Sequence, residues 1–230
     1  MLNTFLFGIY PYIALAVCLL GCWVRFDREQ YTWKTGSSQM LRSRNFRLAS
    51  NCFHIGILFI LVGHFVGLLT PASLYHHFIS TEAKQLLAML SGGLFGVICL
   101  VGLVMLIQRR MTDPRIRNTG GQGDLALLFL LLAQLVLGLS TIVASSHHLD
   151  GSVMLLLADW AQSIVTLQGM EAAQAIATVP LVYKLHVVLG MTLILLVPFT
   201  RLVHVISAPV WYLGRSYQIV RQKSAQGGSC

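Results

Sequence analysis

The chain has 230 residues, of which 56% are hydrophobic and only 10% charged, and its formal net charge is +8. Because about a quarter of the residues in a soluble domain are charged, this composition argues against a soluble protein and indicates one integral membrane domain over 1–230. The basic residues stand in short segments beside apolar runs, not in a stripe interleaved with aromatics. This arrangement indicates membrane topology and partner docking rather than nucleic-acid binding.

Hydropathy predicts five membrane-spanning helices, because a span needs about 20 mostly apolar residues. In chain order they cover approximately 4–24, 48–70, 85–107, 124–145 and 179–206. Segment 152–168 is also apolar, but it is short and carries Asp159 in its middle, so we expect a helix on or near the outer surface. The predicted fold class is an all-α membrane bundle with a cytoplasmic tail over 207–230.

The basic segments predict the orientation of this bundle, since Lys and Arg concentrate in cytoplasmic loops. They lie between the first and second helices, between the third and fourth, and in the tail, whereas the other two loops carry almost none. The N-terminus is therefore predicted outside and the C-terminus inside. The first apolar run has its positive charges after it, which favours an uncleaved helix over a signal peptide.

The cysteines and tryptophans are given no chemical role. The five cysteines form no CxxC or iron–sulfur pattern, and four of them lie in apolar segments, where a thiol packs as a small hydrophobic group. Four tryptophans fall near predicted helix ends, as in the aromatic belts of membrane proteins: Trp23, Trp33, Trp160 and Trp211.

Four histidines lie inside two of the predicted helices, His54 and His64 in the second, His186 and His204 in the fifth. An ionisable side chain at membrane depth is costly, so each is a candidate functional residue. Because the two helices run in opposite directions, depth matches His54 with His204 near the inner face. It matches His64 with His186 near the outer face.

Two separate two-histidine metal centres fit this pattern. The histidines of one helix are too far apart to share a metal, since metal–ligand bonds are about 2 Å long. Imidazole suits iron, and a porphyrin would leave both axial positions to the protein, which favours electron transfer over oxygen chemistry. Nearby glycines could make room for a flat macrocycle or could serve ordinary helix packing: Gly56, Gly63, Gly67 and Gly190.

The helical period predicts how the centres are arranged. The fifth helix is expected to continue through Pro198 with a kink, and its 18 residues from His186 to His204 make five turns at about 3.6 residues each. These two histidines should therefore share a face. His54 and His64 lie about 80° apart around the second helix, so the two centres should be rotated relative to each other.

Two such centres at different depths would carry electrons across the membrane, and they need an electron donor. A lipid-soluble quinol is the natural donor for a chain with no nucleotide motif. Lys84 opens the third helix at about the depth of His64, where it could hydrogen-bond a quinol oxygen or stabilise developing negative charge. On spacing alone, a lysine that extends to the lipid interface is the simpler explanation. Arg110 and Arg201 could pair with heme propionates or serve topology only.

Longer stretches are more specific than these single residues: IYPYIA, YTWKTGSSQML, FHIGILFILVGHFVGLLTP and LHVVLGMTLILLVPFTRLVHVISAPVWYLGRSYQIVR. With them the chain resembles, over nearly its full length, the gamma subunit (cytochrome b) family of membrane-bound respiratory nitrate reductase. The resemblance implies two b hemes, with the His54 and His204 pair as axial ligands nearer the cytoplasm. It implies the His64 and His186 pair nearer the periplasm, beside a quinol site that includes Lys84 and lies next to Gly63.

The same resemblance implies partners. Electrons from menaquinol or ubiquinol would pass to an iron–sulfur beta subunit and a molybdenum alpha subunit on the cytoplasmic face of the bacterial inner membrane. Segment 150–178 and the last eight residues match the family least. Three alternatives stay open: a diheme anchor of a reductase for sulfur compounds or a heterodisulfide, a heme-free transporter with a histidine proton relay, and a structural anchor without cofactor.

Overall fold

The computed structural model describes residues 1–28, 44–114, 116, 122–147 and 149–206, and within these ranges the regular structure is entirely helical. In chain order the helices are α1 (Leu2–Arg28, with a π-turn at Phe5–Ile9), α2 (Arg44–Leu69), α3 (Ala72–Tyr75), α4 (Thr81–Thr112), α5 (Gln122–Ser145), α6 (Ser152–Val165), α7 (Gly169–Ala175) and α8 (Leu181–Leu196). Five of them, α1, α2, α4, α5 and α8 with its continuation to Phe199, are long and apolar enough to cross a membrane, which confirms that prediction.

Helix α4 begins earlier than hydropathy predicts because Ser80 caps it. The Ser80 side chain accepts a hydrogen bond from the backbone nitrogen of Ala83, and Glu82 stands in the first turn. Both features stabilise a helix N-terminus. Lys84 therefore lies in the first turn of α4.

The fifth span ends differently from its prediction. Helix α8 stops at Leu196, and short 3₁₀ turns follow at Val197–Phe199 and Arg201–Val205, separated by the extended residue Thr200. Proline has no N–H to continue the helical ladder, so Pro198 ends the α-helix instead of bending it. The predicted single kinked helix over 179–206 is wrong at this end, and so is the argument that five whole turns relate His186 to His204.

Glycines let α2 and α4 approach each other closely. A Cβ added to Gly102 would lie 2.4 Å from the backbone nitrogen of Phe53, and one added to Gly56 would lie 2.6 Å from the Cβ of Cys99. Gly56 therefore serves helix packing, not a macrocycle. Gly190 on α8 is similarly close to Gln134, whose Nε2 would be 3.1 Å from an added Cβ.

Segment 152–168 forms the 14-residue helix α6, which is too short to span a membrane, as predicted. Together with α7 and the start of α1 it encloses a buried cluster that includes Trp160. The Trp160 Nε1 donates to the backbone oxygen of Phe7 at 3.0 Å, and Gln162 Nε2 donates to that of Leu68 at 2.9 Å. Placing Trp160 in an aromatic belt was wrong, while Trp33 and Trp211 lie outside the described residues.

The two ends of the bundle differ chemically. One end, which we call the basic end, carries the arginines of α1, α2 and α4 and of the turn after α8: Arg25, Arg47, Arg109, Arg110 and Arg201. The opposite end carries α6 and α7. Which end faces the cytoplasm stays a prediction, and the tail over 207–230 lies outside the described residues.

Gly102→Ala should weaken the α2–α4 contact by about 1–3 kcal/mol, because backbone atoms of α2 cannot move aside as a flexible side chain could. Gly92→Ala in the same helix is the matched control, since its added Cβ would meet only the Cδ1 of Ile142 at 3.7 Å. Thermal unfolding of the detergent-purified protein measures both. Equal transition temperatures for the two variants would contradict the packing argument.

Candidate functional site

The structure brings the four membrane histidines together as two pairs, in the combination suggested by depth. The ring centroids of His54 and His204 are 6.3 Å apart with an interplanar angle of 67°, and we call these residues the basic pair. Those of His64 and His186 are 6.0 Å apart at 38°, and we call them the distal pair. Helix α2 supplies one ring to each pair, while α8 and the turn after it supply the others.

Both separations suit two imidazoles on one metal ion. An imidazole nitrogen lies about 2 Å from a bound metal and the ring centre about 1 Å farther, so two axial rings have centres about 6 Å apart. Across the described ranges, no three His, Cys, Asp or Glu side chains converge as a possible metal site. Each pair offers two imidazoles, the axial donor set of a six-coordinate heme.

Three of the four rings are oriented by a backbone carbonyl. Nδ1 of His54 donates to Ser50 O at 2.7 Å, Nδ1 of His64 donates to Ile60 O at 2.8 Å, and Nδ1 of His204 donates to the backbone oxygen of Arg201. A carbonyl oxygen only accepts, so the proton belongs on Nδ1 in each ring. The lone pair of Nε2 is then available, which is the usual arrangement of a metal-ligating histidine.

His186 is held differently, by α5. Its Nδ1 is buried and, among the described residues, has no hydrogen-bond partner. Gln134 Nε2 donates to its backbone oxygen at 3.1 Å, and a Cβ added to Gly138 would lie 3.0 Å from its Cε1. Gln134 Nε2 also lies 3.5 Å from Nε2 of His186, so Gln134 and Gly138, four residues apart on one face of α5, both lie against this ring. Sequence reasoning missed both, although a lone glutamine in an apolar helix was a usable signal.

The surface of α2 beside the distal pair has space for a large planar group. Gly63 and Gly67 lie four residues apart, and outside their own stretch of helix no heavy atom of the described residues lies within 4 Å of the Cβ position of either. His64 between them is exposed. Unlike Gly56, these glycines are not occupied by helix packing, so the residues present fit a flat macrocycle here.

Lys84 does not extend to the lipid interface. Its Nζ lies 3.7 Å from the centroid of the Tyr75 ring, which is 7% exposed. Nζ itself is buried and makes no hydrogen bond within the described part of the chain. A cation over an aromatic face is electrostatically attracted to it, and the ammonium donors stay unused. This geometry favours a binding role over the interface explanation.

The two arginines predicted to bind propionates share a protein carboxylate. Oδ2 of Asp124, in the first turn of α5, accepts from Arg110 at 2.9 Å and from Arg201 at 3.2 Å. Sequence reasoning did not single out Asp124. The contact of these two arginines with heme propionates stays a prediction.

Fold and site together define a class, that of an all-helical, multi-pass membrane protein with two facing pairs of imidazoles between its helices. Comparison with known proteins identifies the family within this class. A family model described as the nitrate reductase gamma subunit matches residues 3–223. The chain therefore belongs to the nitrate reductase gamma subunit family, as the sequence resemblance predicted.

Individual relatives agree along almost the whole chain. It is 53% identical over 222 residues to the respiratory nitrate reductase 1 gamma chain of Escherichia coli (strain K12), covering 96% of this chain and 98% of that one. The respiratory nitrate reductase 2 gamma chain of the same organism is 51% identical with the same coverage. The nitrate reductase gamma chain of Bacillus subtilis (strain 168) is 34% identical over 225 residues, 97% of this chain and all of that one.

Gly138→Val should displace the His186 ring, because even the first added carbon meets that ring at 3.0 Å. If the distal pair binds a heme, the expected result is selective loss or spectral change of that heme, measured by heme content and absorption spectra of the purified protein. Gly123→Val in the same helix is the control, because its Cβ position meets no atom of another described element within 4 Å. A full, unaltered heme complement in Gly138→Val would contradict the role of α5.

Proposed function

We propose that the chain is the quinol-oxidising cytochrome b subunit of a respiratory nitrate reductase and that its histidine pairs hold two b hemes. The observation that carries this proposal is the pair of ring separations, 6.3 and 6.0 Å, each suited to one metal ion between two imidazoles. Three rings with Nδ1 tied to a carbonyl and Nε2 free add to it.

The chain's own residues would hold and orient the cofactors. His54 and His204 would bind one iron, and His64 and His186 the other. When bound, each heme supplies one-electron redox chemistry, and with both axial positions filled by imidazole it has no open site for oxygen. Gly63 and Gly67 would accommodate a ring against α2 at the distal pair.

Lys84 would act on the quinol. A quinol loses two protons and two electrons on oxidation, and negative charge develops on its oxygen as a proton leaves. The unused donors of Lys84 could hydrogen-bond that oxygen and stabilise the charge. The Tyr75 ring keeps the ammonium at its place in the first turn of α4. Gly63 leaves space beside His64 for substrate as well as cofactor.

The basic end would face the cytoplasm, with the N-terminus outside, by the positive-inside rule. The distal pair and Lys84 then lie toward the periplasm, and protons from quinol would be released there. An iron–sulfur beta subunit and a molybdenum alpha subunit would dock at the basic end, where the exposed Arg47 can meet a carboxylate of a partner. The relatives are named as gamma chains, which supports a complex with further subunits.

The family match favours nitrate reductase over an anchor for sulfur compounds or heterodisulfides. The geometry argues against a histidine proton relay. A relay needs an N–H of one ring directed at a nitrogen of the next, whereas three of these Nδ1 groups donate to backbone oxygens. A purely structural anchor would leave four intramembrane histidines as an unexplained cost.

His64→Ala should remove the heme at the distal pair and stop quinol oxidation, while the basic pair keeps its own. The heme-to-protein ratio of the purified chain should fall from about two to about one, since each bis-histidine center holds one b heme. His77→Ala, an exposed histidine outside both pairs, should retain the full ratio. Two hemes in His64→Ala would overturn the ligand assignment, and a wild-type chain folded with heme available but containing none would overturn the proposal.

Lys84→Ala should lower the rate of quinol oxidation roughly 100-fold, the usual effect of removing one donor to a developing oxyanion, with both hemes intact. Quinol-driven heme reduction in membranes measures this rate. The control is Lys184→Ala, which removes a lysine whose Nζ donates to the backbone oxygen of Ala177. Wild-type kinetics in Lys84→Ala would exclude it from the quinol site.

A further inference from the structure

The turn that carries His204 is anchored to helix α1 through its backbone. After α8 ends, the backbone oxygens of Pro198 and Thr200 accept hydrogen bonds from Nη1 of Arg25 at 2.6 and 3.2 Å. Within a membrane, backbone groups freed by a helix break need partners from the protein. Arg25 reaches them from the last turn of α1.

Apolar packing around Arg25 strengthens the same contact. A Cβ added to Gly21, one turn before Arg25, would lie 2.8 Å from the Cγ of Pro198, so α1 touches the break directly. Cys18 and Cys22 form a buried cluster with Val203, which is completely inaccessible to solvent. Val203 precedes His204, so α1 holds the turn on both sides of Arg201.

The ring of His204 follows from the position of this turn. Its Nδ1 donates to the backbone oxygen of Arg201, three residues earlier in the same 3₁₀ turn. Any displacement of that backbone therefore rotates or shifts the ring relative to His54. On the opposite side, the Arg201 side chain pairs with Asp124 at 3.2 Å, so the turn is held from α1 and from α5.

We infer that Arg25 is a positioning residue for the heme of the basic pair, because its two hydrogen bonds to the Pro198 and Thr200 carbonyls fix the turn that aims His204 at His54. This inference rests on the proposed function, since it concerns how one of the two hemes is held. Arg25 acts through the backbone of the turn, and its role differs from the general contribution of a positive charge to membrane topology.

Three variants separate position from charge. Arg25→Lys keeps the charge but replaces the rigid guanidinium, whose Nη1 reaches both carbonyls, with an ammonium on a flexible stem. Arg25→Met removes charge and donors while keeping an extended side chain. Arg28→Met removes the same charge from an exposed arginine three residues away. All three variants are expressed as the full chain together with the other subunits of its reductase. The measurements are made on isolated membranes without purifying the complex.

The readouts are heme content, the redox midpoint potential of each heme and the low-spin ferric EPR spectrum. That spectrum depends on the angle between the two axial imidazole planes, and the pairs differ in this angle, 67° against 38°. We expect Arg25→Lys and Arg25→Met to change the EPR signal of the basic pair or lower its occupancy. The signal of the distal pair should be unchanged, and Arg28→Met should match wild type throughout.

A purely electrostatic role predicts a different pattern. Arg25→Met would then lower the potential of the basic-pair heme, while Arg25→Lys would match wild type in potential and EPR signal. That outcome, or wild-type spectra in both Arg25 variants, overturns the inference about Arg25. The proposed function still stands in that case, provided that the wild type contains two hemes. If Arg25→Met does not accumulate, Arg25→Lys decides alone. A heme-free wild type overturns the proposed function and this inference with it.

Discussion

Two facing pairs of imidazoles set the requirements that the rest of the bundle meets. Helix α2 contributes one ring to each pair, so its position fixes half of both sites at once. Its close contact with α4 through Gly56 and Gly102 supplies that position, because backbone against backbone leaves little freedom to slide. The partner rings come from two different elements, α8 and the turn beyond it, and each needs its own support. Gln134 and Gly138 serve His186, and Arg25 serves the turn of His204.

The end of α8 at Leu196 shows what a helix break can contribute inside a membrane. A continuous helix would place His204 wherever the 3.6-residue period dictates. Because the helix ends at Pro198, the direction of the His204 ring is set by the turn that follows and not by the helical period. The exposed carbonyls are satisfied by Arg25, and the Thr200 side chain accepts from the backbone nitrogen of Leu202. Protein groups thus take the place of helical hydrogen bonds at these positions of the irregular backbone.

Hydropathy and residue type predicted the five apolar helices and the short α6, because both depend on local composition. Antiparallel running direction was enough to suggest which histidines meet. The prediction failed at Pro198, because a proline can bend or end a helix and the sequence alone does not distinguish the two outcomes. Asp124 contacts Arg201 across 77 positions and Gln134 contacts His186 across 52, while Gly138 lies against the same histidine, and no periodic pattern encodes such partners. The buried Trp160 was misplaced because a tryptophan near a helix end fits an aromatic belt and a packed cap equally well.

The carboxylate of Asp124 also imposes an order on assembly. Arg110 precedes it by 14 residues, so their ion pair can form as soon as α4 and α5 have entered the membrane as a hairpin. Arg201 follows 77 residues later and joins only after α6, α7 and α8 have been synthesised. The turn bearing His204 is therefore fixed last. Until then α2 carries His54 without its counterpart, so the basic pair is completed only after all five apolar helices have been synthesised.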